Sequence, residues 1–141
     1  MAPAAADVLL AHFRDFDRKP SDYDCIYTGD LGYYGGELLA KLLEAEGYLL
    51  EGHYRDCGTL IYDQHLQDTH GGGSGCGCSA VTFAGYLMHK LRLGKLGRIL
   101  FVPTGALLSP LSTQQGESIP CIAHAVVIES CRSKIRTAER S

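Results

Sequence analysis

With 141 residues the chain is about one domain long, and 45% hydrophobic with 21% charged residues is the balance of an ordinary soluble globular protein. A formal net charge of −3 leaves no basic footprint for nucleic acid, so nucleic-acid partners are not expected. No apolar run approaches the roughly 18 residues that span a bilayer, and the opening MAPAAADVLL lacks the basic head and long apolar core of a secretory signal.

Residues 6–16 (ADVLLAHFRDF) set Leu9, Phe13 and Phe16 along one side of a predicted helix, which Pro20-Ser21-Asp22 ends. Residues 24–30 (DCIYTGD) predict a short strand, and Leu31-Gly32 a loop. A second helix is predicted over 36–47, with Leu38, Leu39, Leu42 and Leu43 as its apolar stripe and Gly47 as its C-terminal cap. Residues 58–63 (GTLIYD) predict the next strand. A helix over 79–93 follows, with Val81, Ala84, Leu87, Met88 and Leu91 at helical spacing. Strands over 98–104 (RILFVPT) and 121–130 (CIAHAVVIES) complete the pattern, separated by a hydroxyl- and amide-rich loop at 107–119. The order implies an α/β domain over 1–130, with a mostly parallel, mixed sheet covered by helices. A polar tail over 131–141 is expected to be disordered. Without export, the six cysteines read as reduced thiols, with Cys25 and Cys121 as small hydrophobes in strands.

Residues 70–80 (HGGGSGCGCSA) are the most unusual stretch. Zinc binding by Cys76, Cys78 and His70, with His53 and Cys57 as further candidate ligands, meets poor spacing, since structural sites use C-x₂₋₄-C pairs and this is C-x-C. The phosphate-loop pattern is absent. Residues 75–80 fit a relaxed dinucleotide fingerprint, but they leave no strand directly and meet no acidic residue about 20 positions later. The nucleophile elbow G-x-S-x-G fails at Cys76, although a thiolate there gains from a helix start. Two readings stay open: main-chain N–H groups approaching an anion at a helix start, or close helix–strand packing that also needs glycine.

The blocks MAPAAAD, YDCIYTGDLGYYG, DCGTLIYD, HGGGSGCGCSA, RILFVPTGALLSP and LSTQQGESIPCIAHAVVIE together resemble the stage V sporulation protein AD family over nearly the whole chain except its tail. That family is similar in fold to thiolases and ketoacyl synthases, whose subunits hold two duplicated α/β halves, and the resemblance here runs to the second half. The missing half carries the acyl-accepting cysteine of condensing enzymes. Where ketoacyl synthases place a histidine after the first strand, this chain has Thr28-Gly29-Asp30-Leu31. At the position of their catalytic asparagine it has Ser74. Loss of both groups removes the oxyanion stabilisation that condensation needs.

The resemblance therefore implies a non-catalytic component of spore dipicolinic acid uptake. It would bind dipicolinate, alone or with calcium, in a degenerate thiolase-like pocket. It implies other stage V sporulation membrane proteins as partners, and a peripheral place at the cytoplasmic face of the forespore or spore inner membrane. The residues assigned to the ligand are Asp30, His70, Gly73, Ser74, Gly75, Cys76 and Thr104; no catalytic residue, cofactor or resident metal is expected. Two other functions compete: half of an acyltransferase or thiolase-type enzyme completed by a separate first half, and a structural interaction module at the spore membrane.

Several residues carry duller readings. Asp30 also suits a turn or helix cap, and His70 simple solvation. His124 reads as a core residue, Gln114, Gln115 and Glu117 as an exposed loop, and Tyr33 and Tyr34 as covers for apolar surface. As half of a two-half fold, the chain is expected to expose an apolar face, on the 79–93 helix, and to self-associate as a homodimer.

Overall fold

The computed structural model describes residues 1–131, and all but the first residue of the expected tail at 131–141 lies outside them. Helix α1 (Ala2–Asp15) leads through a single 3₁₀ turn (Pro20–Asp22) into strand β1 (Cys25–Thr28). Helix α2 (Gly32–Ala45), strand β2 (Tyr54–Asp56) and a one-turn helix α3 (Cys57–Leu60) follow. After the glycine-rich stretch come α4 (Cys78–Thr82), a π-helical turn (Phe83–Leu87) and α5 (Met88–Arg92) in direct succession. Strands β3 (Arg98–Val102) and β4 (Thr104–Ala106), helix α6 (Pro110–Gln114), and strands β5 (Cys121–Ala123) and β6 (Val126–Glu129) complete the described chain.

The main sheet runs β2-β1-β3-β6, with β2, β1 and β3 parallel and β6 antiparallel to β3. This is the mixed, mostly parallel α/β architecture expected from the apolar runs. Alternation along β1 and β3 sends side chains to opposite faces. Ile26, Leu100 and Val102 meet Leu9 and Phe13 of α1 and Leu39 and Leu43 of α2. Cys25, Tyr27 and Ile99 meet Leu87 and Leu91 on the other face. Each such side chain, removed from water, contributes about 1.5–3 kcal/mol.

Several boundaries differ from the sequence expectation, beginning with α1, which starts at Ala2 and not at residue 6. Helix α2 starts at Gly32, four residues before the predicted Gly36, because the Asp56 carboxylate accepts from the Leu31 and Gly32 amides. Its buried stripe is narrower than predicted: Leu39 and Leu43 are fully covered while Leu38 is exposed. The strand expected over 58–63 is displaced to Tyr54–Asp56, since Asp56 caps α3 by accepting from Gly58 N and turns the chain out of the sheet. The strand over 98–104 divides at Pro103, and the one over 121–130 divides at His124-Ala125. The two short inner pieces pair as a separate antiparallel ribbon, β4–β5. His124 sits exposed at that break and is no core residue; Cys121 is likewise exposed, unlike the buried Cys25.

Candidate ligand site

The loops following β1, β2 and β3 meet at the carboxyl ends of these parallel strands, the end at which open α/β sheets hold their ligands. Asp56 is the centre of this region. Its side chain is 2% exposed and accepts from Thr28 Oγ1 at 2.6 Å, Leu31 N at 3.0 Å, Gly32 N at 3.0 Å and Gly58 N at 2.9 Å. Because the Thr28 hydroxyl donates to Asp56, it accepts from Tyr54 Oη, 2.7 Å away. One buried carboxylate thus ties β1, the start of α2 and the start of α3 together. Sequence reasoning passed over Asp56; its only signal was an aspartate, a residue type favoured at helix N-caps.

The glycine-rich stretch packs against these same segments, backbone to backbone. Tyr33 N donates to Gly71 O at 2.9 Å, and Gly73 N to Gly58 O at 2.7 Å. A Cβ on Gly32 would collide with Gly71 O, and one on Gly58 with Gly73 O; Gly32 also has φ +66°. Close packing therefore accounts for Gly32 and Gly58, and for Gly73, whose Cβ would collide with Ile61.

Beyond Gly73 the stretch rises to the surface and turns towards Asp30. The Asp30 carboxylate, half-buried after β1, accepts from Ser74 Oγ at 3.2 Å, Gly75 N at 3.2 Å and Thr104 Oγ1 at 3.0 Å. Four of the seven residues assigned from sequence, Asp30, Ser74, Gly75 and Thr104, are thus joined through the Asp30 carboxylate. They come from three separate segments. Ser74 and Gly75 are exposed, so the cluster is an open surface feature; a cleft of about 300 Å³ between α2 and β2 is lined by Gly32, Tyr33, Glu37 and Tyr54 and by none of the cluster residues.

The other three assigned residues are placed differently. His70 is exposed at φ +49°, with Nδ1 2.8 Å from the Asp68 carboxylate. Gly73 is buried against Ile61 and Tyr62 and its amide is spent on Gly58. Cys76 is exposed, and the cluster on Asp30 does not include it.

Two buried thiols nearby, Cys57 and Cys78, are shifted towards the protonated form. Burial, then the Asp56 charge, pushes the Cys57 thiol up to about 12. Burial, then the Asp30 and Asp56 charges, raises Cys78 as well. Among the described residues, no group of three or more His, Cys, Asp or Glu side chains is arranged to hold a metal ion. What the arrangement offers chemically is a set of hydrogen-bond donors, two hydroxyls and one amide, converging where a carboxylate sits.

The sequence profile of the family "Stage V sporulation protein AD (SpoVAD)" matches residues 1–129. Stage V sporulation protein AD of Bacillus subtilis (strain 168) is 50% identical over 129 residues, which are 92% of this chain and 38% of that relative. The chain thus spans well under half the length of the curated relative it matches. A match continuous from the first residue of α1 through β6 takes in the sheet, the Asp56 network and the Asp30 cluster alike, and the chain belongs to the stage V sporulation protein AD family.

Proposed function

We propose that the chain supplies one side of a dipicolinate-binding site in a thiolase-like protein, as a non-catalytic component of dipicolinic acid uptake during sporulation. Family membership supports the role in sporulation. The carrying observation for the ligand is the convergence of Ser74 Oγ, Gly75 N and Thr104 Oγ1 on one carboxylate position at the carboxyl ends of parallel strands. Dipicolinate is a flat dianion, and such donors suit one of its carboxylates. The openness of the cluster fits a pocket whose remaining wall comes from the part of the family's sequence that lies beyond this match.

No helix among the described residues is long and apolar enough to cross a membrane. Placement at the cytoplasmic face of the forespore or spore inner membrane accordingly rests on contact with other stage V sporulation membrane proteins, and self-association of the chain is part of the same proposal. Acyl transfer is the competing reading. Incubation of the complete two-half protein with acyl-CoA, followed by intact mass, separates the two, since a covalent adduct belongs only to the enzyme.

Calorimetric titration with dipicolinate tests the ligand. In an Asp30→Ala background, where no carboxylate of the chain occupies these donors, Ser74→Ala and Thr104→Val are each expected to weaken binding about tenfold, as loss of a hydrogen bond to a charged acceptor does. Unchanged affinity in both variants removes the cluster from the site.

A further inference from the structure

The donors assigned to a ligand's carboxylate are already engaged, and by a carboxylate of the chain itself. Ser74 Oγ and Gly75 N donate to Asp30 Oδ2, and Thr104 Oγ1 donates to Oδ1. The two aspartates at this end of the sheet accept from similar sets of groups in contrasting surroundings. Asp56 is sealed from water and held at 2.6 to 3.0 Å. Asp30 is half-buried, its bonds run from 3.0 to 3.2 Å, and two of its three donors belong to exposed residues. The first arrangement is a fixed structural tie. The second can be exchanged, because water reaches both the donors and the carboxylate once they part.

Resting on the dipicolinate reading above, we infer that Asp30 is an internal stand-in for the ligand: Ser74, Gly75 and Thr104 form a carboxylate subsite that Asp30 closes, and an incoming free aromatic carboxylate enters by displacing it. A carboxylate cannot share these three donors with Asp30 without placing two like charges within a few ångströms. Displacement needs only rotation of one side chain on the loop after β1, whose neighbouring main chain stays tied through Leu31 N and Gly32 N to Asp56. Asp30 thereby sets specificity. Ligands presenting a carboxylate able to take all three bonds compete with it, and weaker acceptors do not. The opposite arrangement, with Asp30 holding a cation that bridges to the ligand, requires Asp30 for binding.

The two arrangements predict opposite signs for one substitution. Dipicolinate is titrated into the 141-residue chain in the presence of EDTA, and binding is read from the backbone amide resonance of Gly75. Asp30→Ala is expected to lower the dissociation constant by about tenfold or more, the effect of relieving one like charge at close range in a partly exposed site. Asp30→Asn removes the charge while keeping the side chain's shape. It is expected to tighten binding in the same direction, and it serves if Asp30→Ala does not fold. Binding that either folded variant weakens or leaves unchanged overturns the displacement while leaving the dipicolinate reading intact. In a parallel titration with calcium in place of EDTA, binding by wild type that the variants lose does the same. A Gly75 amide that responds in neither wild type nor variants contradicts the dipicolinate reading, and the displacement falls with it.

Discussion

Removing the Asp56 carboxylate leaves the Thr28 hydroxyl and the amides of Leu31, Gly32 and Gly58 without their acceptor in a place that is nearly closed to water. Each unmet donor costs about 1–3 kcal/mol, so Asp56→Ala is expected to lose roughly 3 kcal/mol or more in urea unfolding. Thr28→Val, close to isosteric, removes one donor and is expected to cost about 1–3 kcal/mol. Glycines divide in the same way. Gly58→Ala drives a Cβ into Gly73 O, whereas Gly47→Ala meets no neighbour within 4 Å and bears only the strain of φ +85°. The first should destabilise by clearly more than the roughly 1 kcal/mol expected of the second, measured by shift in unfolding midpoint. At Cys57 the folded-state value is raised from 9.0 to about 12. Below pH 9 the thiol is protonated in both states and its stabilisation is complete. From pH 9 to about 12 the unfolded chain releases a proton that the folded chain keeps, so that stability is lost as pH rises. Unfolding free energy should therefore fall less steeply over this window in Cys57→Ala than in wild type. In native protein iodoacetamide should label exposed Cys76 while sparing Cys57.

At the scale of elements, what was legible in sequence was whatever a local period or cap could announce. Leu9 and Phe13 announced α1, the apolar CIYT and RILFV runs announced β1 and β3, and Gly47 marked the end of α2, where its amide donates to Glu44 O. What escaped was set by long-range contact. The start of α2 depends on Asp56, 24 residues beyond Gly32. The GTLIYD run looks apolar enough for a strand, yet the same aspartate turns its first residues into α3 and leaves Ile61 and Tyr62 exposed. The π turn at Phe83–Leu87 lies inside a stretch whose periodicity reads as unbroken helix. The site divided along the same line. Asp30, Thr104 and the run through Ser74 and Gly75 follow from the family resemblance and their chemistry, but their meeting needs the β1 and β3 carboxyl ends side by side. His70 and Cys76 were drawn in by residue type and sit apart from that cluster. Helix α6 is local again: Ser109 accepts from Ser112 N at 3.4 Å, so Ser109→Ala is expected to loosen α6 alone, seen as faster amide exchange at Ser112 and Thr113 with β1 and β3 unaffected.

For the molecule as a whole, apolar surface is exposed on the 79–93 helix, where the sequence places it, at Val81, Tyr86 and Leu93, and also elsewhere. That helix buries Leu87 and Leu91 and leaves Val81 and Tyr86 exposed. The larger concentration is around the β4–β5 ribbon and α6, where Leu107, Leu108, Leu111, Ile119 and Ile122 are all more than half exposed. Surface of this kind favours association, so the proposed homodimer should be visible in light scattering. Leu108→Glu with Ile122→Lys should shift it to monomer at unchanged unfolding midpoint, and a wild type that stays monomeric at high concentration argues against self-association.

Dipicolinate recognition by the Asp30 cluster is most directly tested by a crystal structure of the chain bound to dipicolinate without added metal. The expected result is a ligand carboxylate within hydrogen-bonding distance of Ser74 Oγ, Gly75 N and Thr104 Oγ1, with the Asp30 side chain turned away. A ligand lodged elsewhere, with Asp30 still holding all three donors, contradicts the account.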